Sequence, residues 1–270
     1  MLKSGMSKLG TTTTLHSASA SAQPGCGQCR DDTALDFAIE FAYQPIVDLA
    51  RRQIYAYEAL VRGPQGQSAA SVLAQVSEHN RYRFDQTCRV RAIQTAASLG
   101  MQQRLSINFM PNAVYRPEAC IRSTFAAANE CHFPIERIIF EVTEGEIIDD
   151  RAHLVNIFEK YREFGFRTAI DDFGAGYAGL NLLADYQPDI VKIDMGLVRD
   201  IDHSPAKQAI VRGVVGMCAE LNVRVLAEGI ETMAERDFLH HCGIDLMQGY
   251  LFGKPAFKAL GQVDPGTWLP

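Results

Sequence analysis

The sequence predicts an α/β chain folded as a TIM-like (β/α)8 barrel, and three observations carry that prediction. First, β-type and helical segments alternate from about residue 41 onward, a pattern that calls for a parallel sheet. Second, the strands number close to eight over roughly 220 residues, within the usual size of a closed barrel. Third, polar residues recur at the C-terminal ends of the strands: Glu58, Asn108, Glu141, Asp171, Lys192 with Asp194, Glu228 and Gln248. A closed barrel gathers those ends onto one rim, where barrel enzymes place their chemistry. An open sheet would spread them along an edge. No GxGxxG follows a strand, which argues against a dinucleotide-binding open sheet.

The elements follow in order. Apolar-rich runs at 41–49 and 53–61, separated by Arg51-Arg52, read as a hairpin. Residues 71–99 have helical spacing through Val72, Val76, Val90, Ile93 and Leu99, with Gly100 as the expected C-terminal stop. Short strands are expected at 105–108 and 137–142. A helix over 151–164 ends at Gly165, and strand 166–171 follows. Then come strand 190–194, helix 206–221, strand 224–228, helix 231–241 and a last strand at 244–248.

Bulk properties narrow the function. With 47% hydrophobic and 21% charged residues in a 270-residue chain, a sizeable core forms and the protein is globular. A net charge of −6 argues against a polymeric nucleic-acid partner, which needs a basic face. It leaves room for a small anionic ligand, because bound metals or local Arg and Lys override the global sign. No apolar run approaches the roughly 20 residues needed to span a bilayer, and no continuous apolar stretch marks a secretory signal. Seven cysteines, an odd number, fit a reducing cytoplasm better than a disulfide framework. Three segments are expected: a flexible tail over 1–35, a barrel over 36–262 and a C-terminal tail over 263–270. Cys26 and Cys29 form a CxxC in the first tail, read either as free thiols or as half of a structural zinc or redox site.

The densest chemistry lies in Asp171-Asp172-Phe173-Gly174-Ala175-Gly176. Two adjacent carboxylates at a strand tip repel unless something positive sits between them, and hard oxygen ligands suit Mg²⁺ or Mn²⁺. That motif stands in order with Glu58-Ala59-Leu60, Ile107-Asn108, Glu141-Val142-Thr143-Glu144, Val191-Lys192-Ile193-Asp194, Ala227-Glu228-Gly229-Ile230-Glu231 and Gln248-Gly249-Tyr250. Together they closely resemble the EAL family of bacterial phosphodiesterases, which hydrolyse cyclic di-GMP, over about residues 36–258. A lone Glu-Ala-Leu carries little information. Seven ordered motifs at strand ends are highly specific.

The resemblance implies a barrel whose first strand runs antiparallel to the others, and two divalent cations, Mg²⁺ or Mn²⁺. It implies Glu58, Asn108, Glu141 and Asp171 as ligands of the first metal, and Asp171 and Asp172 as carboxylates for the second. Lys192 matches the lysine that orients or activates the attacking water. Glu228 matches the acid that supports the second metal or its water, and Gln248 a glutamine near that water. Arg62 matches an arginine on a substrate phosphate, and Asp194 an acid with a supporting role. Glu144 matches a glutamate that stabilises the loop through Gly174 and Gly176, thought to couple metal binding to dimer contacts. A cytoplasmic homodimer that releases linear 5′-phosphoguanylyl-guanosine is the implied protein. The alternative is a weak or inactive module acting as a cyclic di-GMP receptor or a protein-interaction signalling domain. Degenerate members typically lose the first glutamate, a motif aspartate or the lysine, and all three stand here.

The residue types suit this chemistry on their own. Hydrolysing a phosphodiester needs an activated water and charge relief on the phosphoryl oxygens, which paired metals supply. Lys192 beside two cations is expected to have a depressed pKa. Two stretches depart from the common family pattern: Gly63-Pro64-Gln65-Gly66-Gln67 after Arg62, and Gly176-Tyr177-Ala178-Gly179-Leu180 after the aspartates. Both resemble a branch attached to blue-light-sensing flavin domains, and the sequence ahead of residue 36 is too short to hold such a sensor. Bland readings hold for several other residues. Arg81, Arg83 and Arg89 are expected on a solvated helix face, Tyr250 and Phe252 in rim packing, and His240-His241 at a solvent-facing helix end. Asp85 stands open between a site role and a structural one.

Overall fold

The computed structural model describes residues 35–145, 150–176 and 179–268. Strands β1 (Glu40–Asp48) and β2 (Gln53–Arg62) form the expected hairpin, paired antiparallel from Glu40↔Arg62 to Asp48↔Gln53. Six further strands complete the ring: β3 (Arg104–Asn108), β4 (Ile138–Thr143), β5 (Arg167–Phe173), β6 (Ile190–Ile193), β7 (Arg224–Ala227) and β8 (Leu246–Gln248). Strands β2 to β8 pair in parallel, while β1 closes the barrel antiparallel to both β8 and β2. A short β9 (Ala256–Phe257) lies outside the ring and pairs with β1 at Ala42. The antiparallel first strand is thus borne out.

The interior is layered by the two-residue period of a strand, which returns every second side chain to the same face. One apolar layer contains Ile46, Ala56, Ile139, Ala169, Ile190, Leu226 and Leu246. Two residues along each strand toward the mouth stand Gln44, Glu58, Glu141, Asp171, Lys192, Glu228 and Gln248. The rim chemistry is therefore one rung above a dry plug, at the C-terminal ends of the barrel strands. The alternate residues face out: Ile138, Phe140 and Val142 of β4 are fully buried against the helical shell. Phe140 meets Tyr161 and Phe166 at ring-centroid distances of 4.8 and 5.2 Å, and each such buried ring contributes roughly 2–3 kcal/mol.

The helices are α1 (Ala69–Leu73), α2 (Arg81–Ser98), α3 (Pro117–Cys120), α4 (Arg122–Glu130), α5 (Arg151–Glu163), α6 (Gly179–Asp185), α7 (Met195–Val198), α8 (Pro205–Glu220) and α9 (Met233–His241). Their ends follow local chemistry. Thr232 and Glu235 form a reciprocal capping box at the start of α9, and Gly100, at φ +70°, follows the end of α2. The single helix expected over 71–99 is instead two. Asn80 breaks it: its side-chain oxygen accepts from Ser77 N–H at 2.7 Å and its amide donates to Gln75 C=O at 3.0 Å. Such local bonds compete with helical ones.

Arg89 corrects a second expectation. It is not on a solvated face but 0% exposed. Its guanidinium pairs with Asp85 at 2.8 Å, donates to the Tyr161 hydroxyl at 2.5 Å, and lies 4.9 Å from the Phe140 ring centroid. Helical spacing of i and i+4 puts the carboxylate beside the guanidinium, and the aromatic shell takes up the rest of the charge. Asp85 also accepts from Met110 N–H at 2.9 Å, so its observed partners are structural. Arg81 and Arg83 are half-buried. At the C-terminus, Arg236 donates to the carbonyl of Thr267 at 2.7 Å and anchors residues 265–267 on the barrel. Among the described residues no helix is long and apolar enough to cross a membrane.

Candidate metal centre

A strand alternates its side chains, so Asp171 and Asp172 in a regular β5 would face opposite ways. The pairing of β5 with β6 slips between Ile170 and Phe173, leaving one residue unmatched, and Asp172 takes a left-handed φ of +54°. Such a bulge re-aims a side chain at a barrel rim, and aspartate tolerates the left-handed region better than most residues. Carboxylate oxygens of Asp171, Asp172 and Glu228 consequently lie within 4.8 Å of one another. Oxygens of Glu58, Glu141 and Asp171 form a second group with the same spread. Asp171 belongs to both.

Lys192 stands at the hub, fully buried. Its ammonium lies 2.8 Å from Glu228, 3.0 Å from Asp171, 3.1 Å from Glu141 and 3.8 Å from Glu58. Burial alone would lower its pKa, but Asp171, Glu141, Glu228 and Glu58 together hold it well above the usual lysine value. The expected depression is conditional on cations beside the amine; without them this chain's own groups surround it with negative charge and raise it. The carboxylates show the complementary effect. Burial pushes Glu141 up to about 8, with Glu58 and Asp171 adding to the rise and Lys192 and Ser106 opposing it. Burial also lifts Glu228 well above its ordinary range, against the pull of Lys192. Asp172 rises to about 6 through burial and the charges of Asp171 and Asp194.

Neutral donors orient the acids. The amide of Asn108 donates to Glu58 at 3.0 Å, that of Gln248 donates to Glu58 at 2.7 Å, and the Ser106 hydroxyl donates to Glu141. Glu144 has a different task. Its buried carboxylate accepts from the backbone N–H of Gly174 at 2.7 Å, Gly176 at 3.3 Å and Gly179 at 2.7 Å. A Cβ at position 179 would sit 2.9 Å from that carboxylate and from the Phe173 ring, so only glycine fits. One side chain thus ties the strand after Glu141 to the loop after Asp172.

The mouth opens into a cleft of about 250 Å³ lined by Glu58, Asp172, Asp194, Glu228 and Gln248. Asp194 also caps α7, accepting from Gly196 N–H at 2.8 Å. Arg62 is not brought to this cleft; its guanidinium donates to its neighbour's carbonyl, Val61, at 2.7 Å. Sequence reasoning missed Gln44, Met195 and Glu231 in the lining, and Ser106 beneath it. Alternation from Glu58 across the β1–β2 pairing, where Gln44 is the direct partner, was the available signal for Gln44. Tyr250, expected in packing, is 56% exposed and lines the cleft, while Phe252 is buried. Cys26 and Cys29 lie outside the described residues. The cysteines within them are free, and the possible metal groups found there contain no cysteine.

The donor set fits hard divalent cations. With all five carboxylates ionised, as metal binding requires, they and the one ammonium leave four negative charges, the charge that two divalent ions would neutralise. The sequence profile of the EAL domain matches residues 33–255. The chain belongs to the EAL domain family. It is 52% identical to a standalone versatile EAL protein from Vibrio cholerae O395 solved in its cyclic di-GMP-bound form, with a TM-score of 0.85, covering 87% of this chain and 99% of that one. It is 38% identical, with a TM-score of 0.77, to Klebsiella pneumoniae BlrP1 in a manganese and cyclic di-GMP complex, covering 86% of this chain and 59% of that one. Among curated proteins it is 31% identical over 224 residues to BluF of Escherichia coli K12, named a blue light- and temperature-regulated antirepressor, covering 83% of this chain. The chain spans about 56% of the length of BluF and about 25% of PdeR, a cyclic di-GMP phosphodiesterase of the same organism.

Proposed function

We propose that this chain hydrolyses cyclic di-GMP to linear 5′-phosphoguanylyl-guanosine with two divalent cations, Mg²⁺ or Mn²⁺. The observation that carries the reading is the pair of acidic groups sharing Asp171. Glu58, Asn108, Glu141 and Asp171 would hold one cation; Asp171, Asp172 and Glu228 would hold the other. Bound there, the cations acidify the attacking water and take up charge on the phosphoryl oxygens. Lys192 and Glu228, 2.8 Å apart, hold that water in line and move its proton. Gln248 fixes Glu58 from the far side, and Asp194, in the cleft lining, serves the substrate. Glu144, with Gly174 and Gly176, keeps Asp172 in place and couples it to a homodimer contact, a role supported by the exposed Leu180, 63% accessible, just beyond that loop. The cytoplasm is the matching compartment.

A second reading has its own support: BluF is named an antirepressor, so a domain of this family can be tied to protein interaction. Purified chain incubated with cyclic di-GMP and Mn²⁺, beside Glu58→Ala and Asp171→Asn, separates the two. Metal-dependent linear product in the parent chain alone supports the enzyme. Tight binding without product moves the chain to the receptor reading.

A further inference from the structure

The barrel's opposite end has the inverse chemistry. Two residues below the apolar layer stand Arg104, Arg137, Arg167 and Arg224, with Asp48 on β1. Asp48 is committed to Arg51 at 2.8 Å and Arg224 at 3.4 Å, and Asp189 lies 3.8 Å from Arg167. Among the described residues no carboxylate lies within ion-pair distance of Arg104 or Arg137. Both line one cleft of about 260 Å³ at the floor, together with Tyr55. Three amide side chains, Gln53, Gln102 and Gln103, line it as well.

Tyr55 is there because of a bulge. Ile46 pairs with Ala56 and Val47 with Ile54, so Tyr55 is the extra residue of β2. Its ring packs with the interior apolar layer instead of the helical shell. The guanidinium of Arg104 lies 4.4 Å from the ring centroid and that of Arg224 4.8 Å. The Tyr55 hydroxyl is buried, on a residue only 5% exposed, and has no hydrogen-bond partner; the Arg104 Nε is also buried and unpartnered. Buried polar groups of this kind are normally satisfied. Planar guanidinium forks beside a free hydroxyl match a tetrahedral oxyanion.

We infer that the floor cleft of Tyr55, Arg104 and Arg137 binds a phosphate-type oxyanion, at the end of the barrel opposite the acidic mouth. The anion enters along the glutamine-lined wall, bridges the two guanidinium groups and accepts from the Tyr55 hydroxyl. Its source is either a free phosphate anion or the terminal phosphate of a nucleotide.

Calorimetric titration of the full chain in EDTA tests this, because the metal-free mouth, with its excess of carboxylates, repels anions. Pyrophosphate is the first probe and GMP the second. One saturable site per chain is expected. Arg137→Gln should weaken it about tenfold or more, and Tyr55→Phe by about threefold or more. Binding of GMP alongside pyrophosphate marks a nucleotide phosphate as the source; pyrophosphate alone marks the free anion. Absence of saturable binding overturns the inference. So does binding that ignores Arg137→Gln and Tyr55→Phe but strengthens in Asp171→Asn, which would place the anion at the mouth. Tyr55→Phe preserves volume closely and Arg137 is only half-buried, so the result stands even where Arg104→Gln fails to fold.

Discussion

Replacing Glu144 by alanine removes the acceptor for three backbone donors at once. Two of those bonds are short, to Gly174 and Gly179 at 2.7 Å, and the third, to Gly176, is 3.3 Å. A hydrogen bond to a charged group contributes about 1.5–3 kcal/mol, and its loss leaves a buried donor unsatisfied. Counting the two strong bonds, and allowing water to reach the partly open loop, the local cost is about 3 kcal/mol. That corresponds to roughly 100-fold faster amide exchange at Gly174 and Gly179. The loop begins two residues after Asp172, so disorder there spreads to a proposed ligand. Loss of such a supporting contact typically weakens metal binding 10–100-fold, and about tenfold is expected here. Hydrogen exchange followed by mass spectrometry reads the loop, and a Mn²⁺ titration reads the affinity. Glu144→Gln, which keeps one acceptor oxygen, should fall between. Unchanged exchange at Gly174 and Gly179 would refute the reasoning. So would unchanged Mn²⁺ affinity with a loosened loop.

Other perturbations give further expectations. Glu141 moves from 4.5 to about 8 and Asp172 from 3.8 to about 6 on folding. In EDTA, the folded chain therefore holds protons that the unfolded chain has released, so stability is greatest below the unfolded values and falls as pH rises toward about 8. Thermal melts at about pH 5 and about pH 8 should show the lower value at the higher pH, and saturating Mn²⁺ should shrink or reverse the gap, since metal needs the ionised acids. Arg89→Leu strands the buried Asp85 and should cost about 3–5 kcal/mol, much of it recovered in Asp85→Leu/Arg89→Leu; chemical denaturation measures both, and an unrecovered double variant contradicts the pairing. Gly179→Ala places a Cβ 2.9 Å from Glu144 and Phe173; turnover with cyclic di-GMP should fall as in Glu144→Ala, and full activity would show that the loop relaxes freely.

Much of this site was legible because a barrel converts sequence position into depth. Period-two alternation places Glu58, Glu141, Asp171, Lys192 and Glu228 one rung above Ala56, Ile139, Ala169, Ile190 and Leu226 without any tertiary information. What alternation hides is its own exceptions. The bulges at Asp172 and Tyr55 turn adjacent residues to one side, and neither is visible in a strand pattern. Arg89 looked like a solvated charge because its partners, Phe109, Phe140 and Tyr161, are remote in sequence. Helices α3 and α4 went unassigned because they are short and neither begins on a side-chain N-cap. The break at Asn80 depends on side-chain bonds that compete with the helix, which apolar spacing does not report. The rise at Lys192 in the absence of cations was not legible because Glu228 and Glu141, 2.8 and 3.1 Å from its ammonium, come from strand ends remote in sequence.

The claim that two metal positions share Asp171 is tested most directly by counting Mn²⁺ per chain in equilibrium dialysis. Two ions are expected in the parent chain, one in Asp172→Asn and none at comparable affinity in Asp171→Asn. A single ion in the parent, or a count of two that survives Asp171→Asn, would contradict the shared-carboxylate centre.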